Sequence, residues 1–339
     1  MTDKTIHLIL PGVVPEDQTE ITPHYPHLSK ILSRATAFRH SAYSLETHLT
    51  YLFGLKDQAL PTGALGAYYH GLIDQDHPDQ WFCRADPVEV QADAHTAFMK
   101  STLYSALNQQ DQQAVKSILE SLLTPEVRLY QTPKEWYFAL SKAQDLVTNP
   151  IWEVLGKSLH LRLPSGPDAN YFKRLMTEIQ MMFSDHAFNQ ERVGKNKTLD
   201  SLWFWGFGKC PEQVICDFDL ILSNEPSVGG LAKCAGVPFE LLTDKVMPLP
   251  ENFRKMLIVD TRLLQTLRQA GVEAWMNALS EYEAQWFEMI LSSIQNQTLK
   301  KLILNLGKNA LYILTKWQLN FFWRRVKPFN RISTVQQLS

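Results

Sequence analysis

The sequence predicts an α/β protein: a sheet flanked by helices, with a smaller α/β unit in the middle of the chain. Three observations carry this reading. Short apolar runs such as "IHLIL", "DLIL" and "MLIV" alternate with amphipathic helical patterns. The stretch "SLWFWGFGKCP", Ser201 to Pro211, is apolar at every position from Leu202 to Trp205 and then meets Gly206 and Gly208. A half-buried strand would alternate, so this run predicts a strand covered on both faces, with its glycines just past the carboxyl end, where open α/β sheets place clefts. The plainer alternative is a core strand with a tight exit turn. Finally, residues 92–164 are richer in Gln, Lys and Glu and close on Leu163-Pro-Ser-Gly-Pro167, strong loop punctuation and an expected hinge. The main sheet is therefore expected over residues 1–91 and 165–339, and the smaller unit over 92–164.

The elements follow in order. Thr5 to Leu10 reads as a first strand ending at Pro11-Gly12, with a polar loop to about Ile21. Leu28 to Leu32 starts a helix. Leu45, Leu49, Leu52 and Phe53 recur at helical spacing behind Ser44, a capping residue type. "PTGALGAYYHG" reads as a small-residue turn region, and "WFCRADPVEV", Trp81 to Val90, as a strand broken by Pro87. A helix near Asp111 to Leu123 and the strands "EVRLYQ" and "EWYFAL" make up the insert. Phe172, Leu175, Met176, Ile179, Met182 and Phe183 form one face of the clearest amphipathic helix. "VICDFDLIL" and "MLIVD" read as strands, and "GGLAKCAGVP" as a short helix ending in glycine. Val272 to Ile294 reads as a long helix with Trp275, Met276, Leu279, Trp286 and Ile290 inward. "LKKLILNL" and "ALYILT" form a terminal hairpin. The closing "KWQLNFFWRRVKPFNR" reads as a final strand with a solvated basic tail; contact with a membrane surface or nucleic acid is the alternative.

Composition narrows the function classes. The chain has 339 residues, 45% hydrophobic and 20% charged, with a net charge of −2, which gives no global argument for nucleic acid or membrane. Cys83, Cys210, Cys216 and Cys234 form no CxxC pair and read as reduced thiols of a cytoplasmic protein. The first apolar run is too short for a signal peptide, and no run is long enough for a transmembrane segment.

The order of segments resembles the archaeal-type, cofactor-independent phosphoglycerate mutases of the alkaline-phosphatase-like superfamily. Those proteins carry an inward helix, a His-Pro-Val-Asn-x-x-Arg loop, a glycine, an Asn-x-Leu-Trp strand and a Gly-x-Gly turn. Here the loop is His186-Ala-Phe-Asn189-Gln-Glu-Arg192, then Gly194; Asp200 stands at the asparagine, and Trp203, Trp205, Gly206 and Gly208 follow. "WFCRADPVEV" and "DLILSNEPSVGGLAKCAGVP" resemble flanking segments of that family. The Arg84-Ala-Asp-Pro-Val88 version, the closing "FFWRRVKPF" and the length resemble a narrower bacterial group, the phosphoglycerate-mutase-related regulatory proteins of the RpfE type. The resemblance implies an alkaline-phosphatase-like sheet core with an inserted domain.

It also implies two divalent metals and a Ser or Thr nucleophile, and the residues depart from both. The family's first strand ends in Asp-Gly, with Asp a metal ligand; here Pro11-Gly12 follows "IHLIL", and proline offers no donor. The family's carboxyl half carries carboxylate–histidine pairs; here no histidine follows His186. Thr47 and Thr50, near the expected nucleophile, lie on a helical pattern. The insert's arginine motif has no counterpart after Val90. No metal or other cofactor is therefore expected, and no catalytic residue is assigned. The surviving polar set is Arg84, Asp86, His186, Asn189, Arg192, Lys195 and Trp205. It reads as a candidate site for a small phosphorylated metabolite, with Arg84, His186 and Arg192 converging on one concavity. The competing reading is an Arg84–Asp86 salt-bridge network that only holds structure. The expected function is a non-catalytic phosphoglycerate-mutase-like protein with a regulatory or scaffolding role, with a protein partner or small phosphorylated ligand. An active phosphomutase or phosphohydrolase with a divergent site is the alternative.

Overall fold

The structure is a computed structural model that describes residues 3–15, 24–39, 44–55, 59–73, 79–92, 96–192, 197–243, 250–307, 310–321 and 323–330. It is a mixed α/β protein. It divides into two compact units, Met1–Gln58 with Gln213–Ser339, and Ala59–Glu212. The second unit is wider than the expected insert of 92–164. It also takes in the Trp81–Val90 strand, the Phe172–Phe183 helix and the Leu202–Trp205 strand, all expected in the core. The punctuated stretch 163–167 lies inside this unit and not at its boundary.

The first unit opens with β1 (Thr5–Ile9), α1 (Pro26–Arg34), β2 (Thr36–Arg39) and α2 (Leu45–Leu52). Pro26 starts α1 where its missing N–H would be unpaired anyway. The Ser44 hydroxyl accepts from the Thr47 amide at 3.2 Å, so the expected cap of α2 is formed. The polar stretch before Ile21 falls mostly outside the described residues.

The second unit begins with α3 (Thr62–Tyr69), where the sequence had suggested a turn. Small residues make α3 a helix that lies very close to its sheet: a Cβ on Gly63 would sit 2.5 Å from the Cys83 backbone, and one on Gly66 2.5 Å from the Tyr137 hydroxyl. Then come β3 (Trp81–Ala92), β4 (Ala97–Thr102), α4 (Gln109–Leu122), β5 (Val127–Gln131), β6 (Trp136–Leu140), α5 (Ile151–Val154), α6 (Ala169–Asp185), α7 (Ala187–Gln190) and β7 (Ser201–Gly208). All strand pairs here are antiparallel. Strand β3 organises the sheet. One edge pairs β6 through Trp81–Arg84 and β4 through Val88–Ala92, while the other edge pairs β7. Pro87 does not break it. Its carbonyl accepts from Leu103 on the edge that faces β4 and β6, so its missing N–H falls in the interval between those two strands and costs no ladder bond.

Strand β7 is buried on both faces as its composition predicts, with Leu202, Trp203, Phe204 and Trp205 at most 1% exposed. Phe172 of α6 meets Phe204 at 5.5 Å on one face, and Trp152 of α5 meets Trp205 at 4.9 Å on the other. Its sheet, however, is the antiparallel one. Its glycines serve packing: Gly206 has φ +67, and a Cβ there would lie 2.8 Å from Thr62, while one on Gly208 would lie 2.6 Å from Pro61. The beginning of α3 occupies the space where a cleft was expected.

The chain then completes the first unit with β8 (Leu220–Ser223), α8 (Pro226–Ala235), β9 (Phe239–Leu241), β10 (Lys255–Val259), α9 (Arg262–Gln269), α10 (Gly271–Tyr282), α11 (Glu288–Gln295), β11 (Lys301–Asn305), β12 (Ala310–Thr315) and α12 (Lys316–Leu319). The strand order is β2-β12-β11-β1-β10-β8-β9. From β11 to β9 the pairing is parallel, and β12 and β2 add antiparallel edges. Parallel strands covered on both faces explain the apolar run of β10 and that of β1, which His7 interrupts. Trp275, Leu279, Trp286 and Ile290 of the long helical segment point into the core with α1, as expected. A π-helical turn at Glu283–Phe287 interrupts that segment. It sets the Glu283 carboxylate on the amides of His27 (2.5 Å) and Leu28 (3.0 Å), at the positive end of α1. Only the last three residues of "VICDFDLIL", Leu220 to Leu222, are strand. After the β11–β12 hairpin the chain forms the short helix α12, not a final strand.

Candidate functional site

Arg84 and Asp86 stand two residues apart on β3, so their side chains share one face. Asp86 is fully buried and Arg84 nearly so. Arg84 donates to one Asp86 oxygen through Nε at 3.1 Å and Nη2 at 2.8 Å, and to Glu135 through Nη1 at 2.6 Å. The second Asp86 oxygen accepts from Trp205 Nε1 at 2.5 Å, and the Tyr104 hydroxyl donates to the first. The second Glu135 oxygen bonds the Tyr137 hydroxyl and His70 Nε2, each at 2.8 Å. The Arg84 guanidinium lies 5.4 Å from the Trp205 ring centre and 5.8 Å from that of Tyr137.

The electrostatics follow from this packing. Burial raises the Glu135 pKa, but Arg84, with His70 and Tyr137, outweighs it and holds the carboxyl below its ordinary range. Burial works against the charge on Arg84, and Asp86 and Glu135 more than restore it. Burial first, and then the carboxylates, push the Tyr104 and Tyr137 phenols well up. The network thus holds one arginine cation between two carboxylates, with neutral phenols and an indole filling the remaining acceptor positions.

The 186–192 loop is a second construction. His186 Nδ1 accepts from the Phe188 amide at 3.3 Å and starts α7. Asn189 pins Leu199 from both sides, with Nδ2 to its carbonyl at 3.0 Å and Oδ1 to its amide at 2.9 Å. Arg192 donates to the carbonyls of Ala106 (2.9 Å) and Lys197 (3.3 Å) and pairs with the Asp111 carboxylate. Asp111 also closes the capping box of α4 with Asn108. Of the expected site residues, Arg84, Asp86 and Trp205 therefore come together. Asn189 and Arg192 brace a loop, and Lys195 lies outside the described residues. The expected convergence of Arg84, His186 and Arg192 does not appear in their bonding: the two arginines answer to different carboxylates, and His186 serves a turn.

In the first unit the end of β1 is closed by its own chain. Gly12 has φ +85, a Cβ there would lie 2.5 Å from the Leu264 backbone, and its carbonyl accepts from Trp275 Nε1 at 2.7 Å. The donor set here does not fit the metal pair implied by the family resemblance: Pro11 supplies no ligand, and Leu264 lies against Gly12. Among the described residues, no three His, Cys, Asp or Glu side chains are grouped as a metal ion needs.

The sequence reading missed a polar set at the carboxyl ends of β8 and β10. Asp260 is fully buried, bonded by Arg262 through Nε (2.9 Å) and Nη2 (2.6 Å) and by the Tyr282 hydroxyl (2.6 Å). Burial, then Asp260, pushes the Tyr282 phenol far up. Beside it, the Thr261 amide donates to Asn224 Oδ1 at 2.9 Å, and Thr261 and Gln265 both donate to Glu225. The signal was present in the sequence as polar residues set directly behind the apolar runs "LILS" and "MLIV". The sequence reading also left unused the pair His7 and His48, buried with their Nε2 atoms 3.3 Å apart. Burial, then His48 and Lys301, lowers the His7 pKa to about 3.

No family model matches the chain. In sequence, 103 residues are 27% identical to a 2,3-bisphosphoglycerate-independent phosphoglycerate mutase of Methanothrix thermoacetophila, a match over 29% of this chain and 26% of that enzyme. The chain thus matches about a quarter of the length of that curated relative. Among solved structures it aligns over its whole length, and over 99% of the other chain, with a cofactor-independent phosphoglycerate mutase from Thermoplasma acidophilum, at 14% identity and a TM-score of 0.44. It aligns over 93% of its length, and 86% of the other chain, with the PH0037 protein from Pyrococcus horikoshii, at 10% identity and a TM-score of 0.43. The sequence match supports a phosphoglycerate-mutase-like relationship.

Proposed function

We propose that this chain is a non-catalytic phosphoglycerate-mutase-like protein with a regulatory or scaffolding role, of the kind carried by the RpfE-type proteins it resembles. The observation that carries the proposal is the state of the two expected functional positions. At the end of β1, Pro11 stands where the family's metal ligand would be and supplies no donor. In the second unit, Arg84 and Arg192 are already neutralised by Asp86, Glu135 and Asp111. A phosphate ester would have to displace an internal carboxylate to reach either arginine. All four cysteines are free, in keeping with a cytoplasmic setting.

A phosphomutase assay with 3-phosphoglycerate, with and without Mn²⁺, tests the reading, beside calorimetry of the same ester. No turnover and no heat of binding are expected. Metal-stimulated turnover would establish instead an active phosphomutase. Binding without turnover would leave the regulatory role standing and identify a phosphorylated ligand for it.

A further inference from the structure

We propose that the surface carrying Trp317, Phe321, Trp323, Arg325, Val326 and Lys327 is a docking surface for an anionic lipid bilayer. Large aromatic side chains stand exposed there together: Trp317 is 68% and Trp323 64% exposed, and Val326 beside them is 45% exposed. Phe321 joins the two indoles, with its ring centre 4.3 Å from that of Trp317 and 4.9 Å from that of Trp323. Water disfavours such a patch, and indoles at a surface suit the interface between headgroup and acyl chain.

The patch is built into the fold. Gln318 is buried and donates to the Thr36 hydroxyl at 2.8 Å. Arg324 donates to the carbonyls of Arg34 (3.1 Å) and Ala35 (3.4 Å). The Lys327 amide donates to the Ser33 hydroxyl at 2.9 Å, and Phe329 is buried against Tyr25, ring centres 5.6 Å apart. These four anchors, one between the exposed indoles and three after them, tie the segment to α1, β2 and their flanking residues. The indoles are therefore presented already ordered, which lowers the entropy cost of binding.

Charge selects the partner. The chain as a whole carries −2, yet after Glu288 it has eight lysines and arginines and neither aspartate nor glutamate. Arg325 and Lys327 are exposed within the patch. A basic, aromatic surface with no acidic residue near it in sequence complements an anionic leaflet. A nucleic acid suits it less well. Arg324, which lies 4.9 Å over the Phe321 ring, is spent on backbone carbonyls, and the aromatics pack against one another instead of lining a groove for bases. The four-residue helix α12 is far too short to span a bilayer, so the contact is with its surface.

Co-sedimentation of the full chain with vesicles tests this. The chain should pellet with vesicles of equal parts phosphatidylcholine and phosphatidylglycerol at low ionic strength, and stay in solution with phosphatidylcholine alone. Trp317→Ala with Trp323→Ala, and separately Arg325→Glu with Lys327→Glu, should each weaken binding about tenfold or more. Melting temperature should change little in either variant, because these side chains are exposed. No binding to the anionic vesicles overturns the proposal. So does binding that the aromatic variant leaves unchanged, or binding to a single-stranded oligonucleotide in place of vesicles.

Discussion

Both units bury an arginine against carboxylates, but they assemble the pair differently. In the first unit, Asp260 and Arg262 are two residues apart just past β10, and the Arg262 side chain remains 15% exposed. In the second, Arg84 is held between Asp86 on its own strand and Glu135 just before β6, and its side chain is only 8% exposed. The first arrangement is local and keeps a path to water. The second depends on three strands meeting in register, and water does not compensate for any member that is lost.

This contrast sets the size of the effects. Arg84→Ala strips two buried carboxylates of their cation and should cost about 3–5 kcal/mol, seen as a large fall in the denaturant midpoint. A near-neutral result would mean that the network is dispensable. Arg192→Ala removes the ion pair to Asp111 and two carbonyl contacts, and should cost about 2 kcal/mol in the same measurement. Little loss of stability, with loss of binding to a phosphate ester, would return Arg192 to a ligand site. The first unit should show its own pH dependence through His7. Its folded pKa of about 3 lies below the ordinary 6.5, so between those values the unfolded chain holds the proton and the folded chain does not. Stability is then full above 6.5 and falls as pH drops towards 3, by up to about 1.4 kcal/mol per pH unit. His7→Leu should flatten that slope in urea titrations taken from neutral pH downward. Arg262→Ala should cost less than Arg84→Ala, because truncating the part-exposed arginine opens a route by which water can reach the otherwise fully buried Asp260 carboxylate. If it matched Arg84→Ala, exposure would not be what separates the two units.

The same contrast explains what could be read in the sequence. Local signals were legible. Ser44 caps α2, Leu202–Trp205 is buried on both faces, and the Phe172–Phe183 stripe is buried except at Met182, which the expected face included and which is 41% exposed. Arg84 and Asp86 share a face because a strand repeats every two residues. Glu135, Tyr104 and His70 complete the network from far along the chain, and no local pattern marks them. The sheet that β7 joins was hidden for the same reason, since its register with β3 pairs Asp86 with Trp203. Helix α3 was read as a turn because glycine lowers helix propensity. Contact with the Cys83 backbone and the Tyr137 hydroxyl is what demands glycine there, and it outweighs that propensity.

Strand β1 takes its neighbours from far downstream: Thr5 lies beside Lys255 on one side and Lys301 on the other. The second unit, by contrast, is a single continuous stretch, Ala59–Glu212. During synthesis that stretch is complete before either partner of β1 has been made. At about 5–20 residues per second, the first strand waits roughly 10–50 s after translation for an edge to pair with. Throughout that interval its apolar residues and open backbone groups are available to any other strand. The order in which this chain is made thus assigns its two halves different hazards: early autonomy for the middle, and prolonged exposure for the beginning.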